Sequence, residues 1–142
     1  MKRILKVLPL VFVFLIATSC ELDSGENFHF VTLRILDVEL PENFELNQTY
    51  NIQVTYERLN GCVFFEGFQV QEPQLTTREV VAIGTELDDM DCTQAIEEGT
   101  ASFNFNVLYE GTYTFRFFHD FDENEEPVYL EYEVEVLRNN TN

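Results

Sequence analysis

Three cysteines, two histidines and one regularly spaced run of acids are the residues here with chemistry to offer. Asp120, Asp122, Asn124 and Glu126 place an oxygen ligand at every second position. Calcium loops begin that way, and Glu131 falls twelfth counted from Asp120. Such a loop wants glycine at its sixth position, to turn sharply. Here Glu125 stands there, and a strand pattern follows where a helix is required. The first expectation for the loop is therefore a solvated acidic hairpin, with calcium second. Asp88, Asp89 and Asp91 form another acidic cluster, able to add ligands if the two loops share one end of the fold.

His119 beside Asp120 invites an acid–base reading. Catalysis by such a base needs a nucleophile and an orienting partner. The chain has no Gly-x-Ser-x-Gly, no His-Glu-x-x-His and no phosphate-binding glycine loop. Only a cavity gathering His119 with two converging acids would argue for an enzyme, so a non-catalytic protein is expected. Two histidines, His29 and His119, at no recognised spacing make a poor zinc site.

These residues belong to a chain with an address. Lys2, Arg3 and Lys6 form a cationic start, and residues 7–17 are an unbroken apolar run. A membrane-spanning helix takes about 20 apolar residues. The run therefore matches the core of a signal peptide. Ala17, Thr18 and Ser19 then lead into Cys20, followed by Glu21. This segment resembles the lipobox of bacterial lipoproteins of the Bacteroidota type, although Ala17 occupies the place where leucine is usual. The resemblance implies cleavage of residues 1–19, lipid (palmitate-type acyl chains) on Cys20, and attachment to the outer membrane, facing surface or periplasm. An ordinary secretory signal with an incidental Cys20 is the alternative. Two or more acyl chains anchor stably where one holds only marginally. Residues 20–27 read as the lipidated cysteine and a polar tether, residues 28–138 as one domain, and residues 139–142 as a tail.

If Cys20 carries lipid, two thiols remain, Cys62 and Cys92, and only one pairing exists. Outside the cytoplasm that pair is expected as a structural disulfide. The same cleavage leaves five arginines and no lysine against 26 acids. Nucleic acid is bound by neutralising phosphates with lysine and arginine, so it is excluded as a partner, and an anionic membrane surface with it. The partners left are the membrane, through the lipid, and a protein or glycan of the envelope or exterior.

Strand patterns fill the domain. Residues 27–40 are rich in β-branched and aromatic side chains, with an apolar face that switches midway, which suggests a bulge or a crossing between sheets. Residues 48–59 alternate strictly, Tyr50, Ile52, Val54 and Tyr56 against polar partners. Asn60-Gly61 is a strong hairpin signal, making residues 62–71 the hairpin partner. Glu72-Pro73 reads as a turn and residues 76–85 as a strand. Residues 86–99 form a loop with room for a helical turn over 93–98. Residues 100–108, 112–119 and 127–137 alternate again around an acidic loop at 120–127.

Seven strands and no convincing helix make an all-β protein, expected as an antiparallel sandwich, with a small barrel as the alternative. The segment Tyr109-Glu110-Gly111-Thr112-Tyr113-Thr114-Phe115 is similar to the turn before strand F of immunoglobulin-like domains. Gly111 and Tyr113 match that pattern, while Tyr109 and Phe115 replace its aspartate and cysteine. The resemblance implies an immunoglobulin-like architecture with Tyr113 bonding back to nearby backbone. Phe64, Phe65 and Phe68 could form an aromatic platform for glycans, though the chain lacks tryptophan. The expected function is a non-catalytic, lipid-anchored envelope module. Its working surfaces are the loops at 86–99 and 120–127, with a calcium-stabilised adhesion-type or glycan-binding domain as the alternative.

Overall fold

The computed structural model describes residues 27–88 and 90–138. The leader, Cys20, most of the tether, Asp89 and the tail lie outside the described residues. Eight strands and no helix occupy the described part. They are β1 (Phe28–Glu39), β2 (Asn43–Glu45), β3 (Thr49–Arg58), β4 (Val63–Gln74), β5 (Thr77–Leu87), β6 (Glu97–Asn106), β7 (Thr112–Phe121) and β8 (Pro127–Leu137). The all-β expectation holds.

The strands follow the path β2-β8-β7-β5-β1-β3-β6, with β4 on the free side of β5. β1 serves both ends of this curled sheet. Its first half, Phe28 to Leu33, pairs with β5, and its second half, Arg34 to Glu39, pairs with β3. A register shift between Ile35 and Asp37 marks a bulge on the second half. It explains the switching apolar face: Leu33 and Ile35 are buried at period two, one residue is inserted, and burial resumes at Val38.

Three expectations of local structure change. First, the Asn60-Gly61 turn does not make a hairpin. β3 already has β1 and β6 on its two edges, so no edge remains for β4. The turn instead carries the chain across to β5, and the Asn60 side chain accepts from the Cys62 amide at 2.8 Å to shape it. Second, Glu72-Pro73 lies inside β4, where pairing skips from Gln71 to Gln74 and the reversal comes at residues 75–76. Proline is tolerated there because β4 is an edge strand at an irregularity. Third, residues 91–96 carry no regular secondary structure and no helical turn.

The sheet is mixed. β5 runs parallel to β7 over Thr77–Val80, and β2 parallel to β8. Hairpins link only β4 to β5 and β7 to β8. The other connections cross the fold, and a crossing chain can arrive in either direction. β2 is the eighth strand, too short to show a pattern in the sequence, yet its Phe44 is fully buried. Phe44 packs against Tyr50, Phe105, Tyr113 and Phe115 in an aromatic core.

Arg78 is the one buried charged side chain among the described residues. Its guanidinium donates to the carbonyls of Leu75 and Thr77 and pairs with Glu72 at 3.2 Å. It also lies 5.3 Å from the Tyr113 ring centroid, a cation–π distance. A charge can be buried only when its donors are used. Arg78 uses them to hold the β4–β5 turn over the aromatic core.

Candidate functional site

The strands β1 and β7 converge on β5 and then separate. β7 leaves β5 after Val80, and β1 takes the same edge from Ala82 onward. Side chains close the split. His119 Nδ1 lies 2.7 Å from the Ile35 carbonyl oxygen. A carbonyl only accepts, so Nδ1 carries the proton and donates. Arg34 of β1 donates to Asp120 of β7, and also to Glu57 of β3 at 3.5 Å.

A cleft of ≈ 140 Å³ opens beside this latch. Val31, Leu33, Leu59, Val63, Phe118 and Phe121 give it apolar walls. Arg34, Glu57, Glu86, His119 and Asp120 supply polar groups. An apolar recess with a few convergent polar groups is the common form of a small binding site.

Each segment nominated by the sequence reaches this cleft at its first residues, Glu86 of one and Asp120 and Phe121 of the other. The loop after β5 is tied down by the Cys62–Cys92 disulfide, which spans 30 residues with the two Cα atoms 5.4 Å apart. Gly61 N–H donates to the Thr93 carbonyl at 2.9 Å, and Leu87 N–H to the Cys62 carbonyl at 3.1 Å. The Asn60 amide donates to Glu86 at 2.6 Å, and His29 Nδ1 stands 3.0 Å from the Asp88 carboxylate. On the other side, Asp120 and Phe121 begin the turn into β8.

That turn is held by its own acids. Asp122 Oδ1 accepts the backbone N–H of Asn124 at 2.8 Å and of Glu126 at 2.9 Å. These bonds hold the Asp122 carboxyl below its ordinary pKa. Asp120 is lowered first by the Phe121 N–H and then by the nearby Arg34 charge. Glu125 takes φ 63°, the left-handed conformation the turn requires.

Of the residues read as calcium ligands, Asp120, Asp122, Asn124 and Glu126, two carry side-chain bonds within the fold. Asp120 is committed to Arg34, and Asp122 caps two amides of its own turn. Among the described residues, no group of three or more His, Cys, Asp or Glu converges as a metal site. The Asp122 carboxylate shapes the hairpin, and Asp120 accepts the Phe121 N–H at its start.

His119 does share a cleft with Glu57, Glu86 and Asp120, the arrangement named above as the one an enzyme needs. The His119 proton goes to a backbone carbonyl and not to a carboxylate, and Arg34 holds both Glu57 and Asp120. Thr32 carries the one hydroxyl among the lining residues. The aromatic platform is also redrawn. Phe65 stacks on Tyr56 and Phe68 packs on Phe103, both inward, leaving Phe64 exposed.

Gly111 and Tyr113 lie at the opposite end of β5. Gly111 takes φ 104°, and its carbonyl accepts the Val136 N–H at 3.0 Å. The fully buried Tyr113 hydroxyl accepts the amides of Leu108 at 3.2 Å and Tyr109 at 3.0 Å. Sequence reasoning missed Arg34, Glu57 and Arg78. Arginines are so scarce beside 26 acids that each had a strong prospect of a buried or bridging role, and that scarcity was the available signal. No protein-family model, no curated protein and no solved structure matches this chain.

Proposed function

We propose that this protein is a lipid-anchored, non-catalytic binding module of a bacterial cell envelope, held at the outer membrane through Cys20. The observation that carries the binding role is the cleft walled by Val31, Leu33, Leu59, Val63, Phe118 and Phe121, with Arg34, His119 and Asp120 at its polar side. Rigid loops around an apolar recess suit recognition, because little ordering is left to be done on binding. The address rests on the leader sequence, and the disulfide agrees with a compartment where such bonds persist. Within this reading the sheet is a divergent relative of immunoglobulin-like sandwiches. Gly111 and the Tyr113 corner support that kinship, while the parallel β5–β7 pairing sets the chain apart.

Two measurements test the proposal. Protease shaving of intact cells, with wild type beside Cys20→Ser, reads the anchor. Shaving of cell-bound wild type with release of the variant supports a surface lipoprotein. Protection until the outer membrane is opened places the protein in the periplasm, and no effect of Cys20→Ser overturns the anchor. For the cleft, Leu59→Glu and Phe121→Glu charge its mouth at positions 61% and 56% exposed, sparing the core. Partner crosslinking on cells should fall in both variants, and equal crosslinking would remove the cleft from the account.

A further inference from the structure

Neighbouring residues of a strand face opposite ways. The residues of β1 and β5 that alternate with Val31 and Glu86 therefore share a second surface. Pairing sets Phe28 opposite Leu87, and Phe30 opposite Thr85. Thr85 meets Phe64 of β4 on its other side. Phe28, Phe30 and Phe64 are 43%, 70% and 46% exposed. The Phe28 and Phe30 rings meet edge to face with centroids 5.9 Å apart. A shallow hollow runs between them and Glu66, Thr85 and Leu87. Glu66 is the only charge lining it, and its carboxylate already accepts the Thr85 hydroxyl at 2.7 Å. Three open phenylalanines on one face of so acidic a chain constitute an apolar patch that calls for an occupant.

The position of the patch in the chain selects that occupant. Phe28 is eight residues after Cys20. Eight residues reach at most about 28 Å when fully extended. We infer that this aromatic face rests on the bilayer, with Phe28, Phe30 and Phe64 in the interfacial layer of a zwitterionic lipid surface. The inference builds on the lipid-anchor reading above and adds an orientation to it. Anchoring at one point makes the second contact intramolecular, so a patch too small to hold a free protein suffices. Apolar and aromatic side chains are favoured at that depth. Zwitterionic lipid is specified because 26 acids repel an anionic surface.

The absence of tryptophan from the chain makes the test direct. Phe30→Trp places a reporter in the patch. Tyr109→Trp places one near the far end of β5, where Thr77 pairs with Thr114. Phe30 pairs with Thr85, eight strand steps from Thr77, about 26 Å. Each lipidated full-length variant is reconstituted into phosphatidylcholine vesicles containing brominated lipid. The expected result is blue-shifted emission and strong quenching for Phe30→Trp, with neither for Tyr109→Trp. Vesicles that float with bound protein while Phe30→Trp stays unquenched overturn the orientation and leave the anchor standing. Equal quenching of both reporters also overturns it. Wild type that fails to float, or floats equally after Cys20→Ser, overturns anchor and orientation together. A Phe30→Trp signal that answers soluble neutral oligosaccharide and not vesicles makes the patch a glycan platform and ends the inference.

Discussion

Individual side chains in this protein spend their polarity on the backbone. The Tyr113 hydroxyl satisfies two amides of the β6–β7 connection. Removing an acceptor strands its donors, and buried donors left unpaired cost about 1–3 kcal/mol. Tyr113→Phe should lower stability by that amount with the ring packing intact, as read from a urea midpoint. Asp122 works the same way at the other end. Its folded pKa lies below the usual value of 3.8, so the ionised form is favoured by folding. Its contribution is fully present above about pH 4 and is lost as pH falls through the depressed folded value. Asp122→Asn keeps an oxygen acceptor but does not titrate. The stability difference between wild type and this variant should therefore shrink towards zero on acidification from pH 7 to pH 3, and a constant difference would refute the assignment. The same commitment of Asp120 and Asp122 predicts no change in thermal midpoint between millimolar calcium and chelator. An upward shift with calcium would restore the metal reading.

Elements are fixed here by competition for edges. β3 has two partners and accepts no third, which sends the strand after Asn60-Gly61 across to β5. β1 divides itself between β5 and β3, and the bulge lets one strand bury residues on both halves. At the resulting split between β1 and β7, the His119 and Arg34 latch replaces the missing ladder. The loop after β5 lacks ladder bonds of its own along residues 91–96, so the disulfide supplies its constraint. Closing about thirty residues contributes roughly 3–4 kcal/mol by the chain-entropy argument. Replacing both Cys62 and Cys92 by alanine should lower stability by up to that amount. Amide exchange in residues 90–96 should accelerate more than in β7, and a uniform change would deny the loop its special dependence.

The whole molecule is dominated by charge of one sign. Each of the five arginines beyond the leader already sits in an ion pair. Seven acids share these pairs, so among the described residues acids far outnumber the arginines that could balance them. Exposed ion pairs contribute about 0–1 kcal/mol each, and salt weakens them. Salt also relieves the repulsion among the far more numerous acids, and that effect should prevail. The Debye length falls from about 30 Å at 0.01 M to about 8 Å at 0.15 M. Melting temperature should accordingly rise over that range of sodium chloride. A fall would mean that the arginine pairs outweigh the repulsion.

The strand content and the inward faces were legible from residue order alone. Alternation such as Tyr50-Ile52-Val54-Tyr56 fixes which side of a strand is apolar, because the side-chain period is two in any sheet. Residues 100–108 and 127–137 were readable for the same reason, and the Cys62–Cys92 pairing followed once the leader was read. Partnership between strands was not legible. It depends on which edges are already occupied, a property of the assembled sheet, and so the Asn60-Gly61 hairpin, the wholly antiparallel order and the turn at Glu72-Pro73 were all misplaced. β2 escaped notice because three residues show no period, although Phe44 packs at the centre of the core. The cleft was half visible. His119, Asp120 and both nominated loops stood out by type, but Arg34 and Glu57 joined them only when β1 crossed from β5 to β3. The sequence determined which residues face inward and what chemistry they carry. Tertiary structure alone decided which of them meet, because contacts between distant residues are set by edge pairing and close packing rather than by local pattern.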